Sequence, residues 1–155
     1  ARAKPAHGEG GAVTSANTHA IVDGASALIV CAEKVLAGAA EPLGRLRAWA
    51  YAGVPPAEMG VASIPAIRET LSRAGWKAAE VDLFEINETF AAQLLIDIRE
   101  LGVEEAKVNV NGGAIAVGHP FAASGGRLVL GLLLCPRMAF SHSASVGSRF
   151  PFQWQ

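Results

Sequence analysis

One stretch near the middle of the chain leaves little freedom in fold class. VDLFEIN (81–87) is an apolar run of strand length, and it hands over directly to ETFAAQLLIDIREL (88–101), where Phe90, Leu94, Leu95 and Ile98 fall on one helical stripe. The alternating VNVN (108–111) follows. Two strands with a helix between them pair in parallel through a crossover, which lays the helix on a face of the sheet. The expected class is therefore α/β.

The preceding chain repeats the pattern. ASALIVCAE (25–33), entered through the turn pair Asp23-Gly24, reads as a buried strand that passes into helical EKVLAGAA, and LGRLRAWAYAG (43–53) reads as a second strand ended by Pro55-Pro56. In IPAIRETLSRAG, Ile67, Leu71 and Ala74 keep helical spacing, with Pro65 near the first turn and Gly75 just past the end. A last helix is expected from about Ser124. Residues 1–12 are Gly/Ala/Pro-rich and read as a linker or cut end, residues 13–134 as the ordered domain, and residues 135–155 as a tail with neither period. That tail carries four of the ten aromatic residues, Phe140, Phe150, Phe152 and Trp154, and no acidic residue follows Glu105.

Composition narrows the function classes. The chain has 155 residues, is 51% hydrophobic and 17% charged, and carries a net charge of −1. That suits one globular domain and offers no dense basic face for nucleic acid. The longest late apolar run, LVLGLLLC (128–135), is too short to span a membrane. Cys31 and Cys135 form no CxxC motif or disulfide framework, which fits a reducing compartment, by default the cytoplasm. The opening residues, without a starting Met or a signal-peptide core, suggest a piece of a longer polypeptide.

Few residues stand out as chemistry. His119 lies between Gly118 and Pro120, ahead of a helix start, where open α/β sheets place their ligands, and a histidine there can exchange a proton near neutral pH. Spacing alone does not separate that role from an ordinary loop histidine. Asn87 sits where strand becomes helix; its amide could hold a water or an oxyanion, or simply cap the helix. Ser124 is most simply an N-cap, and Cys31 a small core residue. No GxGxxG, P-loop or GxSxG pattern is present. Asp82 and Glu85 would point to opposite faces of a strand, and His7, His19 and His142 have no metal-ligand spacing, so no metal is expected.

Taken together, VTSANTHAIVDGASALIV, MGVASIPAIRETLSRAG, VDLFEINETFAAQ and VNVNGGAIAVGHPFAASGGR resemble, in order and spacing, the carboxyl-terminal half of the thiolases, the acyl-CoA C-acyltransferases. The resemblance runs from about Ala12 to Leu134. It implies a thiolase-like fold, here a mixed sheet with helices on both faces, lacking the last strands. It implies ping-pong acyl transfer between coenzyme A thioesters, with no further cofactor: one cysteine attacks a thioester and a second moves the α-proton of acetyl-CoA. His119 matches the histidine that activates the nucleophilic cysteine and helps bind the thioester oxygen, and Asn87 the residue holding a water in that oxyanion site. Met59 and Phe90 match positions lining the acyl and pantetheine pocket, Thr89 replaces a usual Ala, and Gly118 falls in the loop around the site. A homo-oligomer, dimer or tetramer, is implied for the full-length enzyme.

The departures are as informative. The nucleophilic cysteine belongs to the first half of a thiolase, and the second to a C-x-G motif that this chain lacks, so neither Cys31 nor Cys135 carries over. Ala122 stands where the pattern has glycine, a methyl that could crowd the loop, and Val22 where Asn is common. The chain alone is expected to be inactive and to expose an apolar sheet edge. The abrupt change near Leu134 suggests a shifted reading frame, which translation of the coding DNA in its other frames would reveal. Rival readings are a ketoacyl synthase relative, which shares a GH-x-x-G-A-x-G loop, and a noncatalytic thiolase-like CoA-binding or scaffolding subunit. Within thiolases the blocks lean to the short-chain, acetoacetyl-CoA type.

Overall fold

The computed structural model describes residues 3–36 and 41–135. The aromatic tail beyond Cys135, and the end of the expected helix in EKVLAGAA, lie outside them. Four α-helices are present: α1 (Ser63–Ala74), α2 (Ala91–Leu101), the short α3 (Ala114–Val117) and α4 (Ser124–Leu133). Short 3-10 helices form at Glu33–Val35, Pro56–Val61, Ala78–Glu80 and Glu105–Lys107. Helices α1 and α2 both end on a left-handed glycine, Gly75 (φ 70°) and Gly102 (φ 64°), whose N–H closes onto the last turn.

VDLFEIN forms the middle layer. Phe84 and Ile86 join Ile67, Leu71 and Val108 in one core, against which Leu94, Ile98 and Leu101 of α2 pack. Leu83 turns the other way, onto Leu132 of α4 and Cys135. Alternate residues of one extended segment thus bury against helices on opposite faces, the layering of an α/β domain. Its parallel pairing with the VNVN segment is a single bridge, Phe84 with Val108, made by Phe84 N–H to Lys107 O and Asn109 N–H to Phe84 O, both 2.8 Å. The side-chain amide of Asn109 extends it, accepting from Ile86 N–H at 2.8 Å and donating to Ile86 O at 2.9 Å.

Several local expectations need correction. Residues 25–32 make no ladder and are not buried: Ile29 is 98% and Val30 80% exposed, and Cys31 is exposed too. Apolar composition made this a plausible core strand, but nothing among the described residues covers it. LGRLRAWAYAG also lacks a ladder, although Ala48 and Ala50 are buried while Arg47, Trp49 and Tyr51 are exposed, a strand-like alternation. On α2, Leu95 faces solvent, and the deepest side chains are Gln93 and Asp97. These two polar groups are buried because they satisfy each other: Gln93 Nε2 donates to Asp97 Oδ2, and Ser63 Oγ of α1 reaches both Asp97 oxygens at 2.8 Å. Burial pushes the Asp97 carboxyl above its ordinary value, with the hydrogen bonds from Ser63 and Gln93 pulling back.

Candidate functional site

Two loops and one strap build the site. The first loop is the turn from VDLFEIN into α2. Asn87 is buried there, and helix α2 starts only at Ala91 with Phe90 as N-cap, so Asn87 does not cap it. Its backbone O accepts from Thr89 N–H at 3.2 Å, while its amide Oδ1 is buried with no hydrogen-bond partner among the described residues. Thr89 N–H also reaches Gln93 Oε1 at 3.1 Å, which ties this turn to the buried Gln93–Asp97–Ser63 chain.

The second loop is NGGAIAVGHPFAASGG. Glu88 holds its entry, accepting from Asn109 Nδ2 at 2.9 Å and from Ile115 N–H at 3.0 Å, at the start of α3. A Cβ on Gly113 would lie 2.1 Å from the Glu88 carboxyl carbon, so a side chain there would push Glu88 off its bonds to Asn109 and Ile115. Gly118 leaves α3 at φ 89°, ψ 173°, a conformation essentially reserved for glycine, and delivers His119. Ala122 is exposed, so its methyl does not crowd the loop.

Ser124 is not an N-cap. It is the first residue of α4, and its Oγ lies 2.7 Å from His119 Nδ1 and 3.2 Å from Pro120 O. Where the hydroxyl gives its proton to Pro120 O it accepts from Nδ1–H, the tautomer that leaves the free lone pair on Nε2. Phe121 packs edge-on against the ring at 4.7 Å between centroids. Burial, then the neighbouring His19 ring and Arg127 guanidinium, hold the imidazole below its ordinary value and favour the neutral form near pH 7.

The strap is Asn17–Ile21, which spans both loops. Its Asn17 O accepts from Ala91 N–H at 2.9 Å, satisfying an orphan donor at the start of α2, and Thr18 bridges Phe90. Two residues on, Ala20 O accepts from His119 N–H at 2.8 Å and Ile21 makes a parallel bridge with His119. Of the residues expected from sequence, His119, Asn87, Thr89, Phe90 and Gly118 therefore belong to two loops joined by one strap. Met59 does not join them: it sits on the 3-10 helix Pro56–Val61, which packs on α1 and α2, and is 55% exposed.

Sequence reasoning missed Asn109, Glu88 and Glu85 as parts of this framework. Asn109, at φ 47°, could have been suspected as a poor strand former next to a glycine turn. Glu85 lies on the α4 side of VDLFEIN, and burial pushes its carboxyl up to about 7, with Arg127 lowering and Glu88 raising it. Between its ordinary 4.5 and about 7 the folded chain binds more protons than the unfolded one, so this group's contribution to stability is lost as pH rises through that window. The Glu85→Gln chain should accordingly show a flatter fall of Tm between pH 5 and 8 than the unaltered chain; parallel profiles would disprove the assignment. Among the described residues no group of three or more His, Cys, Asp and Glu is placed to hold a metal ion, and no helix is long and apolar enough to cross a membrane.

The layered architecture with a histidine and an amide on strapped loops defines an α/β domain built around one polar site. The family pattern described as "Thiolase, C-terminal domain" matches residues 40–142, and the chain belongs to the thiolase family. It is 48% identical over 131 residues to the acetyl-CoA acetyltransferase of Escherichia coli strain K12, covering 84% of this chain and 33% of that relative. The human mitochondrial 3-ketoacyl-CoA thiolase structure superposes with a TM-score of 0.85 at 37% identity, over 90% of this chain and 36% of that one. A structure of the same human enzyme in complex with CoA matches at a TM-score of 0.78 and 34% identity, with the same coverage. The chain thus spans about a third of the length of the relatives it matches. The thiolase-like fold of a carboxyl-terminal half, expected from the sequence blocks, is the fold observed.

Proposed function

We propose that this chain is the portion of an acetyl-CoA acetyltransferase that supplies its oxyanion site, acting in thiolytic cleavage or Claisen condensation of short-chain 3-ketoacyl-CoA. The observation carrying this reading is the pairing, through one strap, of a neutral His119 backed by Ser124 with a buried Asn87 whose amide oxygen has no partner among the described residues. A water donating one proton to Asn87 Oδ1 has its second proton free for a thioester oxygen. His119 Nε2 can take the proton of a cysteine thiol from elsewhere in the enzyme, and the thiolate attacks the thioester carbonyl as the CoA thiol leaves. With the α-proton of acetyl-CoA taken by a second cysteine from elsewhere in the enzyme, the enolate places its negative oxygen against the water held by Asn87, a preorganised donor worth ~3 kcal/mol of barrier. The enolate carbon then attacks the acyl-cysteine, expelling the cysteine thiolate and completing the 3-ketoacyl-CoA.

CoA and acetyl-CoA are the proposed ligands, supported by the CoA complex of the human relative and by the names of the curated ones. Two free cysteines, one of them exposed, suit a reducing compartment such as the cytoplasm. A homo-oligomeric parent enzyme is part of the same proposal. The test is a chimera in which residues 12–134 replace the matching segment of the E. coli enzyme, which then provides both cysteines. Turnover of acetoacetyl-CoA plus CoA is expected; a soluble chimera that binds CoA without turning it over would favour a noncatalytic subunit instead.

A further inference from the structure

His19 has no part in the reaction as described, yet its ring lies against that of His119, with centroids 4.5 Å apart and planes tilted by 52°. The approach is built by the backbone. His19 N–H points to Thr89 O at 3.4 Å, the preceding residue bridges Phe90, and the following one accepts from His119 N–H. Neither histidine can withdraw without breaking the strap that joins the two loops. His19 Nδ1 is also buried with no hydrogen-bond partner among the described residues.

We propose that His19 is a positioning residue that forms an electrostatically coupled ring pair with His119, admitting at most one positive charge and so holding His119 in the neutral form needed to accept a proton at Nε2. The physical reason is proximity: two imidazolium rings in van der Waals contact, partly withdrawn from water, repel each other strongly, so protonation of one opposes protonation of the other. The charged or titratable groups acting on His119 are His19 from the strap and Arg127 from α4, both of which disfavour its cation. Its remaining neighbours, Ser124 and Phe121, are uncharged. Arg127 Nε and one terminal nitrogen are buried without hydrogen-bond partners among the described residues, and the carboxylate that acts on its charge is Glu85, on the α4 side of VDLFEIN. His19 adds a second, titratable source of the same effect.

The consequence for catalysis rests on the thiolase reading, but the pair does not, and the test separates them because it needs neither cysteine nor thioester. Diethyl pyrocarbonate modifies only neutral imidazole, and peptide mass mapping of the 155-residue chain reads each histidine separately across pH. In the unaltered chain the His119 curve should be broader than a one-proton transition. In His19→Gln it should become a simple one-proton curve with its midpoint raised by ~0.5 to 1 unit. An unchanged midpoint in a folded His19→Gln chain would overturn the proposal. So would a simple one-proton His119 curve in the unaltered chain, a measurement that holds even if the variant does not fold.

Discussion

Replacing His119 with alanine in the chimera is expected to lower kcat for thiolysis of acetoacetyl-CoA by at least ~10³-fold, with KM changing little. Loss of a positioned general base costs ~10²–10⁴-fold, and loss of an oxyanion donor ~10²–10³-fold. The two losses fall on the same atom, Nε2, so they overlap rather than multiply. The geometry behind the prediction is specific. Ser124 occupies Nδ1 at 2.7 Å, and the strap holds the His119 backbone at Ala20 O, so the ring is fixed at both its side chain and its main chain. Asn87→Ala should give a smaller loss, about 10²-fold, because it removes the anchor of a bridging water and leaves the histidine in place. Steady-state rates at saturating CoA decide the matter. A His119→Ala chimera within about tenfold of the parent would remove His119 from the chemistry.

Gly118→Ala should be the most destabilising methyl addition at any described glycine of positive φ, costing about 2–6 kcal/mol in urea unfolding. Backbone conformation accounts for part of this: φ 89° with ψ 173° lies where only glycine is comfortable, and an L-residue there costs roughly 1–3 kcal/mol. Crowding accounts for the rest. A Cβ at this buried position would stand 2.5 Å from Val22 Cγ2 and 2.6 Å from Cγ1, and overpacking of this kind costs typically about 1–3 kcal/mol. Gly102 provides the comparison, because its φ is 64° but a Cβ there meets nothing within 4 Å. Gly102→Ala should cost only ~1–2 kcal/mol. Combining Gly118→Ala with Val22→Ala should recover the crowding share alone, a coupling that a double-mutant cycle isolates. Equal costs at the two glycines would mean that Val22 yields freely and that the loop is not held as described.

Helix α1 was readable almost to the residue, since Pro65 and Gly75 punctuate a clean apolar spacing and short-range propensity agrees with burial. VDLFEIN was legible as a buried segment, although the strand expected there pairs through a single bridge among the described residues. The segment at 25–32 was not, because strand character in an apolar run depends on a partner edge that local sequence does not contain. On α2 the periodicity pointed at Leu95, whereas the buried positions went to Gln93 and Asp97. A hydrophobicity pattern has no way to register that Ser63, far along the chain, satisfies Asp97. Asn87 and Ser124 were both legible as cap-type residues and both proved otherwise, for α2 begins only at Ala91 and α4 already at Ser124, whose hydroxyl turns back to His119 and Pro120.

By itself, then, the sequence determined the class of fold, through the order of its periodic segments, and the family, through four blocks ending in GHPFAASGG. It also singled out His119 and Asn87, since a histidine among glycines and an amide at a strand-to-helix junction carry their chemistry in their residue types. Only the tertiary structure decided what surrounds them. The His19 ring against His119 arises when the Asn17–Ile21 strap crosses two loops remote in sequence, while the Ser124 hydroxyl on Nδ1 and the buried Oδ1 of Asn87 follow from how each loop folds on its own backbone. Periodicity reports which face of an element is buried; it holds no record of which distant atoms meet there.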